Sequence, residues 1–227
     1  MKFVRSSVFT ALVLALVTVA PFARADVTFN LSTLINGNPP VGATPWLTAT
    51  FQDIAAGDVR LTLTNNMPAG EFIPFLVFNS IVNPTSLTFT NNTPVSAAGT
   101  ATASATQNLS GGSQVKAGLF NVQFDYQTSN SGPGRFGGGE TSIWEITGSS
   151  ITAANFLLTS INKLTPPTST GGWYMAAEVR GIPAGRETTS GSIGTMTAVP
   201  EPETYAMLLA GLGLMGFVAR RRKQQTV

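Results

Sequence analysis

Short stretches of alternating apolar and polar residues recur along most of the chain. In DVRLTLT (58–64), apolar residues at 59, 61 and 63 alternate with charged or hydroxylated neighbours. A period of two is typical of a strand with one buried face. The same alternation occurs in the stretches 27–31, 47–51, 87–89, 120–126 and 173–180. These stretches predict a series of half-buried β-strands.

One stretch, EFIPFLVFN (71–79), is apolar on both faces and predicts a central strand. Pro74 interrupts it, and proline cannot donate a hydrogen bond to a strand ladder. We therefore expect a bulge or an edge at Pro74.

Asn, Gly, Pro, Ser and Thr separate these stretches, as turn residues do. The small polar stretch 96–114 predicts a flexible edge strand or a long loop, and Ser192 to Thr197 predicts a last strand followed by an extended stalk. About nine or ten short strands with regular turns are typical of a sandwich. The prediction for residues 26–198 is one all-β domain, an antiparallel β-sandwich with jelly-roll-like connectivity.

The first 25 residues have a different pattern. Lys2 and Arg5 precede an apolar run from Val8 to Ala20, and Ala23 and Ala25 follow it. This order is typical of a secretory signal peptide with a small-residue cleavage site. We expect signal peptidase to cut after Ala25, so that the exported chain begins at Asp26.

The amino-acid composition excludes several kinds of catalytic and metal-binding site from the predicted domain. The sequence contains neither cysteine nor histidine, which removes Ser-His-Asp and Cys-His catalysis and the commonest metal ligands. Six of the 13 basic and nine of the 11 acidic residues lie between Asp26 and Val199, so this part carries a net charge of −3. We expect no nucleic-acid binding, no metal and no cofactor.

The chain ends in VPEPETYAMLLAGLGLMGFVARRRK (199–223). The uncharged run 205–219 contains 15 residues, about 22 Å as a helix, whereas a bilayer core is about 30 Å thick. The basic cluster after it would keep the C-terminus in the cytoplasm and the domain outside. The segment therefore predicts a short, temporary membrane anchor.

These C-terminal residues resemble the PEP-CTERM protein-sorting signal of Gram-negative bacteria. The resemblance rests on the motif Val199, Pro200, Glu201, Pro202, on the apolar run, and on the basic cluster Arg220, Arg221, Arg222, Lys223. It implies recognition by an exosortase, a membrane-embedded processing enzyme, followed by passage to the cell surface or extracellular matrix. It also implies an association with exopolysaccharide, biofilm or floc.

The activity of the domain itself stays open at this stage. A non-enzymatic surface protein, a carbohydrate-binding module and a secreted polysaccharide-active enzyme are the three hypotheses, and we favour the first. Strand alternation directs Trp46 and Tyr174 outward, which makes them the candidate rings for stacking on a glycan. A two-carboxylate glycosidase would draw on Asp53, Asp58, Asp125, Glu140, Glu145 and Glu178. The glycine-rich stretch 131–140 predicts a loop whose Arg135, Phe136 and Glu140 could line a binding surface.

Overall fold

The computed structural model describes residues 26–93, 97–110, 115–129, 134–162, 171–200 and 211–215. Strands dominate the described residues, and two short 3₁₀ helices, Pro84–Ser86 and Ala153–Phe156, lie between them. In chain order the strands are β1 (Val27–Leu31), β2 (Thr33–Gly37), β3 (Leu47–Ala55), β4 (Asp58–Asn65), β5 (Phe72–Ile73), β6 (Phe75–Phe78), β7 (Thr88–Asn91), β8 (Gly99–Ala103), β9 (Val122–Tyr126), β10 (Phe136–Gly137), β11 (Thr141–Thr147), β12 (Met175–Ala184), β13 (Glu187–Thr195) and β14 (Val199–Pro200).

Within the described residues the strands form two sheets, and every pairing is antiparallel. The first sheet has the order β14-β1-β3-β4-β11-β7. The second runs β10-β5-β12-β6-β9-β8, with β13 also pairing with β12 and β2 with β13. The prediction of an all-β, antiparallel fold is confirmed. The jelly-roll connectivity stays a prediction.

Aromatic side chains from both sheets meet in the core. Phe51 of β3 lies 5.5 Å from Phe78 of β6, and Trp144 of β11 stacks on Phe124 of β9 with ring centroids 3.8 Å apart. These four residues are at most 1% exposed. Since aromatic pairs add stabilisation beyond their buried area, this contact layer holds the two sheets together.

A buried polar cluster accompanies the Trp144 ring. The indole N–H of Trp144 donates to the Tyr126 hydroxyl and to the Ser142 Oγ, each at 3.1 Å, and the Tyr126 hydroxyl donates to Ser142 Oγ at 3.1 Å. Ser142 Oγ in turn donates to the Ala97 carbonyl at 2.9 Å. Burial raises the pKa of the Tyr126 phenol well above its ordinary value, so it remains a donor. Because Tyr126 and Ser142 belong to different sheets, the cluster links them.

The apolar stretch 71–79 is divided at the proline, as predicted. β5 ends at Ile73 and β6 begins at Phe75, with Pro74 between them. Pro74 keeps its carbonyl as an acceptor for the Tyr126 N–H at 2.8 Å. The strand predicted within 96–114 also exists, as the edge strand β8.

Strand β12 departs from the predicted half-buried pattern, because it is buried on both faces from Met175 to Val179. Met175 faces the main core, whereas Ala176 belongs to a second cluster that also contains Trp173. Alternation over 173–180 would place Trp173 on the same side as Met175, but Trp173 belongs to the second cluster, so the alternation fails at this residue. The strand starts only at Met175, so alternation does not extend back to residue 173.

The last predicted strand is displaced and longer. β13 spans Glu187–Thr195, not Ser192 to Thr197, and pairs with β12 along a hairpin closed by Gly185 and Arg186. Gly185 has φ +66°, a conformation that tight hairpin turns require and that glycine adopts readily. The polar residues 187–190 concealed this strand, because they have no apolar alternation.

Candidate functional site

The first two residues of the sorting motif belong to the folded domain. Strand β14, Val199–Pro200, pairs with β1 at the edge of the first sheet, with Val199 opposite Thr28 and Pro200 opposite Val27. The sequence predicted an extended stalk here. The segment is extended, but it lies against β1 as an edge strand.

The residues before β14 hold it on the domain. Thr195 is 3% exposed, and its hydroxyl donates to the Thr197 carbonyl at 2.9 Å. Ala198 packs against the main core. The chain is therefore anchored up to residue 198, directly before the motif.

The antiparallel pairing brings the two ends of the domain together. β1 starts one residue after Asp26, and β14 ends one residue before Glu201. Asp26 is fixed by the Gln52 side-chain amide, which donates to its carboxylate at 2.8 Å. The exported chain is expected to begin at Asp26. This residue therefore lies at the same corner of the sheet as the start of the motif.

Several predicted site residues lie outside the described part of the chain. They are the signal peptide 1–25 with Ala23 and Ala25, the motif residues Glu201 and Pro202, and the basic cluster Arg220, Arg221, Arg222 and Lys223. Residues 211–215 are helical and exposed. Among the described residues no helix has the length and apolarity needed to cross a bilayer.

A polar groove of about 700 Å³ opens beside β5, β12 and β13. Two guanidinium groups reach it. Arg135 lies over the Phe72 ring at 3.6 Å from its centroid, and Arg180 forms a two-point ion pair with Glu178, at 3.0 and 3.2 Å. The other lining residues are Gly70, Gly181, Thr188, Thr189 and Ser190. Cationic and hydroxyl groups on one concave surface suit an anionic, hydroxylated ligand.

The backbone of the groove depends on a bulge in β12. The register with β13 shifts between Arg180 and Ile182, and Gly181 between them has φ +78°. A Cβ atom at residue 181 would lie 2.2 Å from the Gly70 carbonyl oxygen. Only glycine fits this close approach, which sets the spacing of the two groove walls.

One of the candidate carboxylates lies elsewhere than strand alternation alone would place it. Strand alternation alone would place Glu178 on a solvent face, but it is 1% exposed because β12 is buried on both faces, and Arg180 compensates its charge. Asp53 accepts the Ala153 N–H at 2.7 Å, and Glu140 accepts the Gly137 N–H at 2.7 Å. Asp125 accepts from Gln123 at 2.7 Å. Each of these carboxylates makes a local contact, and they do not lie together at one site.

Asp58 and Glu145 lie close enough to interact on the outer face of the first sheet, a pair that strand alternation does not predict. Burial and a hydrogen bond to Glu145 raise the pKa of the Asp58 carboxyl. Asn92 donates to Glu145 at 2.8 Å. The pairing follows from the β4–β11 register, which places Arg60 opposite Glu145 and Asp58 opposite Thr147. Within the described residues no three acidic side chains are grouped in a way that suits a metal ion.

The two candidate glycan-stacking rings contribute to the core. Trp46 is 8% exposed, and its N–H donates to the Gly42 carbonyl at 3.3 Å, so its predicted outward direction is wrong. The strand begins only at Leu47, which removes the alternation argument for residue 46. Tyr174 is half-buried and stacks on Phe29 at 5.4 Å. Phe136 of the glycine-rich stretch is fully buried, and its neighbour Arg135 lines the groove.

Glu71, between the groove residues Gly70 and Phe72, is a buried carboxyl that the sequence did not single out. It is 1% exposed, and its Oε1 accepts the Val41 N–H at 2.9 Å, whereas Oε2 has no hydrogen-bond partner among the described residues. Burial raises the pKa of the Glu71 carboxyl, and the Val41 hydrogen bond offsets this in part. Deprotonation therefore favours the unfolded state.

Glu71→Gln should stabilise the domain at neutral pH. The pKa of Glu71 is raised in the folded state. The free energy of unfolding of the parent therefore begins to fall as the pH rises through the unfolded-state pKa of this carboxyl, and the loss is complete above its folded-state pKa. Glutamine keeps the acceptor for Val41 and does not ionise. Thermal melts from pH 4 to pH 8 should show a Tm advantage for the variant that grows with pH. An advantage independent of pH would contradict this assignment.

Comparison with known proteins identifies the C-terminal segment. A family model described as the PEP-CTERM protein-sorting motif matches residues 198–223. No curated protein and no solved structure matches the chain. The match begins at Ala198, which packs against the main core, and includes β14. Residues 198–223 are a PEP-CTERM sorting motif, which marks this chain as an exported protein that is sorted by an exosortase.

Proposed function

We propose that the protein is a non-enzymatic component of the cell surface or extracellular matrix, where it associates with exopolysaccharide. The sorting motif at 198–223 carries this proposal, because it directs the folded domain out of the cell. The absence of histidine and cysteine from the sequence supports a non-catalytic role. The buried aromatic layer and the polar cluster stabilise the domain without disulfides.

The proposed route has three steps. Signal peptidase removes residues 1–25 after export, and the apolar run 205–219 then holds the chain temporarily in the membrane. The basic residues 220–223 keep its C-terminus in the cytoplasm. The exosortase acts at the motif, and the domain passes outward. The short length of the apolar run supports a temporary anchor.

Saccharide binding is the second candidate function, and the polar groove is the observation that favours it. The groove presents the guanidinium groups of Arg135 and Arg180 together with three hydroxyl residues, 188–190. Glu178 pairs with Arg180 in this groove. A saccharide with carboxylate groups, such as a uronic acid polymer, matches this combination better than a neutral sugar.

Arg135→Gln should weaken binding of a uronic acid polymer by about tenfold, which corresponds to one lost charge-assisted contact. Arg135 is preferable to Arg180 as the test, because removing Arg180 would leave the buried Glu178 without its charge partner. Arg186→Gln is the matched control, since this exposed arginine lies in the β12–β13 turn and not in the groove. Affinity electrophoresis in gels containing polygalacturonate or neutral dextran measures both variants.

The outcomes separate the hypotheses. Retardation by polygalacturonate that Arg135→Gln lowers and Arg186→Gln retains supports saccharide binding in the groove. No retardation of the parent protein rejects binding of that polymer but leaves the matrix role to be tested by co-sedimentation with exopolysaccharide from the producing cells. Release of reducing sugars from either polymer would contradict the non-enzymatic role.

A further inference from the structure

Strand β14 points toward one end of the sandwich. It runs antiparallel to β1, and its last residue, Pro200, lies opposite Val27, the first residue of β1. We call the end of the sandwich at which β1 begins the tail end. Only four residues, 201–204, separate Pro200 from the apolar run 205–219. Since an extended chain spans at most about 3.6 Å per residue, the run begins within about 18 Å of Pro200.

The 3₁₀ helix Ala153–Phe156 closes the tail end. Its last residue stacks on Phe51 with ring centroids 4.2 Å apart, and Phe51 lies opposite Val27 in the pairing of β3 with β1. The carbonyl of Asn155, within the helix, accepts the backbone N–H of Ile81 at 2.8 Å. The helix therefore holds the loop after β6 at the same end as the start of β1.

Three large apolar side chains at the tail end are exposed. They are Ile81, Leu157, which directly follows the 3₁₀ helix, and Met196, and each is between 39% and 60% exposed. Met196 comes directly after β13, which ends opposite Met175, and Met175 lies opposite Phe78, three residues before Ile81. Met196 and Ile81 therefore lie beyond the same end of the second sheet.

The length of the chain after β14 identifies what faces the tail end. The sorting motif anchors the chain temporarily in the membrane through its C-terminus. Strand β3, which ends at the tail end, has nine residues and is therefore about 30 Å long, whereas the apolar run begins within about 18 Å of Pro200. The tail end is therefore the part of the domain nearest the bilayer while the anchor is inserted.

The shortness of the anchor favours contact at the bilayer surface. As a helix the apolar run is about 8 Å shorter than a bilayer core, and such a mismatch is relieved when the bilayer thins and flanking residues move to the interface. Exposed apolar side chains beside the anchor are stabilised there. Three aspartates at the same end, Asp26, Asp53 and Asp58, favour a zwitterionic lipid surface over an anionic one.

We propose that the tail end is a membrane-contact surface: Ile81, Leu157 and Met196 enter the headgroup region of a zwitterionic bilayer while the C-terminal anchor is inserted. The contact supplements the short anchor and fixes the orientation of the domain at the membrane. Three partly exposed side chains bind lipid only weakly by themselves, so the domain leaves the surface once the tail is removed. This inference rests on the temporary anchoring of the chain through its sorting motif.

Fluorophores at single cysteines test the contact, because the sequence has no cysteine of its own. The variants Ile81→Cys, Leu157→Cys and Met196→Cys place the fluorophore at the tail end. Met215→Cys, in the apolar run, reports insertion of the anchor. The full exported chain, residues 26–227, is reconstituted in phosphatidylcholine vesicles whose lipids are spin-labelled in the headgroup or in the acyl chain.

Val41→Cys is the matched control, because Val41 is 48% exposed but lies at the other end of the sandwich. The carbonyl of its neighbour Gly42 accepts the indole N–H of Trp46, and the backbone N–H of Trp46 donates to Leu31, the last residue of β1.

Headgroup spin labels should quench each of the three tail-end fluorophores by at least about half, because interfacial side chains lie within about 10 Å of the headgroups. The Val41 fluorophore should lose almost none, since a strand length of about 30 Å separates it from the surface. In flotation, the unlabelled triple variant Ile81→Ser/Leu157→Ser/Met196→Ser should detach from the vesicles about tenfold more readily than the parent, whereas Val41→Ser should not.

The Met215 fluorophore separates failure of the contact from failure of anchoring. If acyl-chain labels quench it while the tail-end fluorophores are quenched no more than the Val41 control, anchoring stands and the contact is wrong. Retention of the triple variant equal to that of the parent would also overturn the contact. If the Met215 fluorophore is not quenched, the chain is not anchored and both fail.

Discussion

Replacing Trp144 with alanine should lower the free energy of unfolding by about 3–5 kcal/mol, as expected for a large buried aromatic residue. Trp144 is 1% exposed and stacks on Phe124 of the opposite sheet at 3.8 Å. The substitution leaves a cavity between the sheets. It also removes the indole donor from the Tyr126 hydroxyl and from Ser142 Oγ.

The variant Trp144→Phe separates the loss of the ring contact from the loss of the N–H donor. Phenylalanine keeps a ring against Phe124 but has no N–H, so we expect a loss of about 1–2 kcal/mol. Ile81→Ala is the control, because Ile81 is 60% exposed and such a change should stay within about 0.5 kcal/mol. Urea unfolding measures all three variants. Equal losses for Trp144→Phe and Trp144→Ala would show that the ring contact contributes little.

Replacing Pro200, Glu201 and Pro202 with alanines should leave export intact but prevent sorting. The motif match covers these three residues, and the apolar run after them stays in place. The chain should therefore remain in the membrane with its tail attached. Surface protein should fall at least about tenfold, the change that a loss of about 1.4 kcal/mol in recognition would produce.

Membrane and surface fractions measure this result, probed with one antibody against the β domain and another against the last residues of the chain. Replacing the exposed Pro183 and Glu187 with alanines is a matched control, because it removes the same residue types outside both the groove and the motif. If the motif variant reached the surface without its tail as efficiently as the parent, a protease independent of the motif would be the better account.

The sequence predicts the all-β fold well because alternation is a local signal. β4 and β9 have the predicted alternating burial, and Pro74 divides 71–79 as its missing N–H requires. In β4 and β9 one face of the strand meets the core and the other is more exposed, so the alternation of residue types is enough to predict the strand.

Prediction fails where burial depends on distant partners. β12 is covered on its second face by Trp173 and its neighbours, so alternation would place Glu178 in solvent, whereas it is buried and paired with the exposed Arg180. Trp46 lies one residue before β3, so its burial depends on tertiary packing and not on strand alternation. Neither the groove nor the Asp58–Glu145 pair can be read from the sequence, because both follow from strand register.

The residues of the sorting motif can be predicted from the sequence, but their position in the fold cannot. Its residue types are local, so Val199 to Pro202 could be identified without a structure. Its placement against β1 could not, because it joins residues about 170 positions apart, Val27 and Pro200. The sequence therefore indicates the destination of the chain, and the fold places the first two residues of the motif at the edge of the first sheet.

The most direct test of the central claim is the intact mass of the protein recovered from the surface of the exporting cells. The account predicts a chain that begins at Asp26 and has lost the apolar run and basic cluster that follow the motif. In cells that lack the exosortase, the protein should instead remain in the membrane with its full C-terminus. Surface protein that still ends at Val227, or tail removal that persists without the exosortase, would contradict the account.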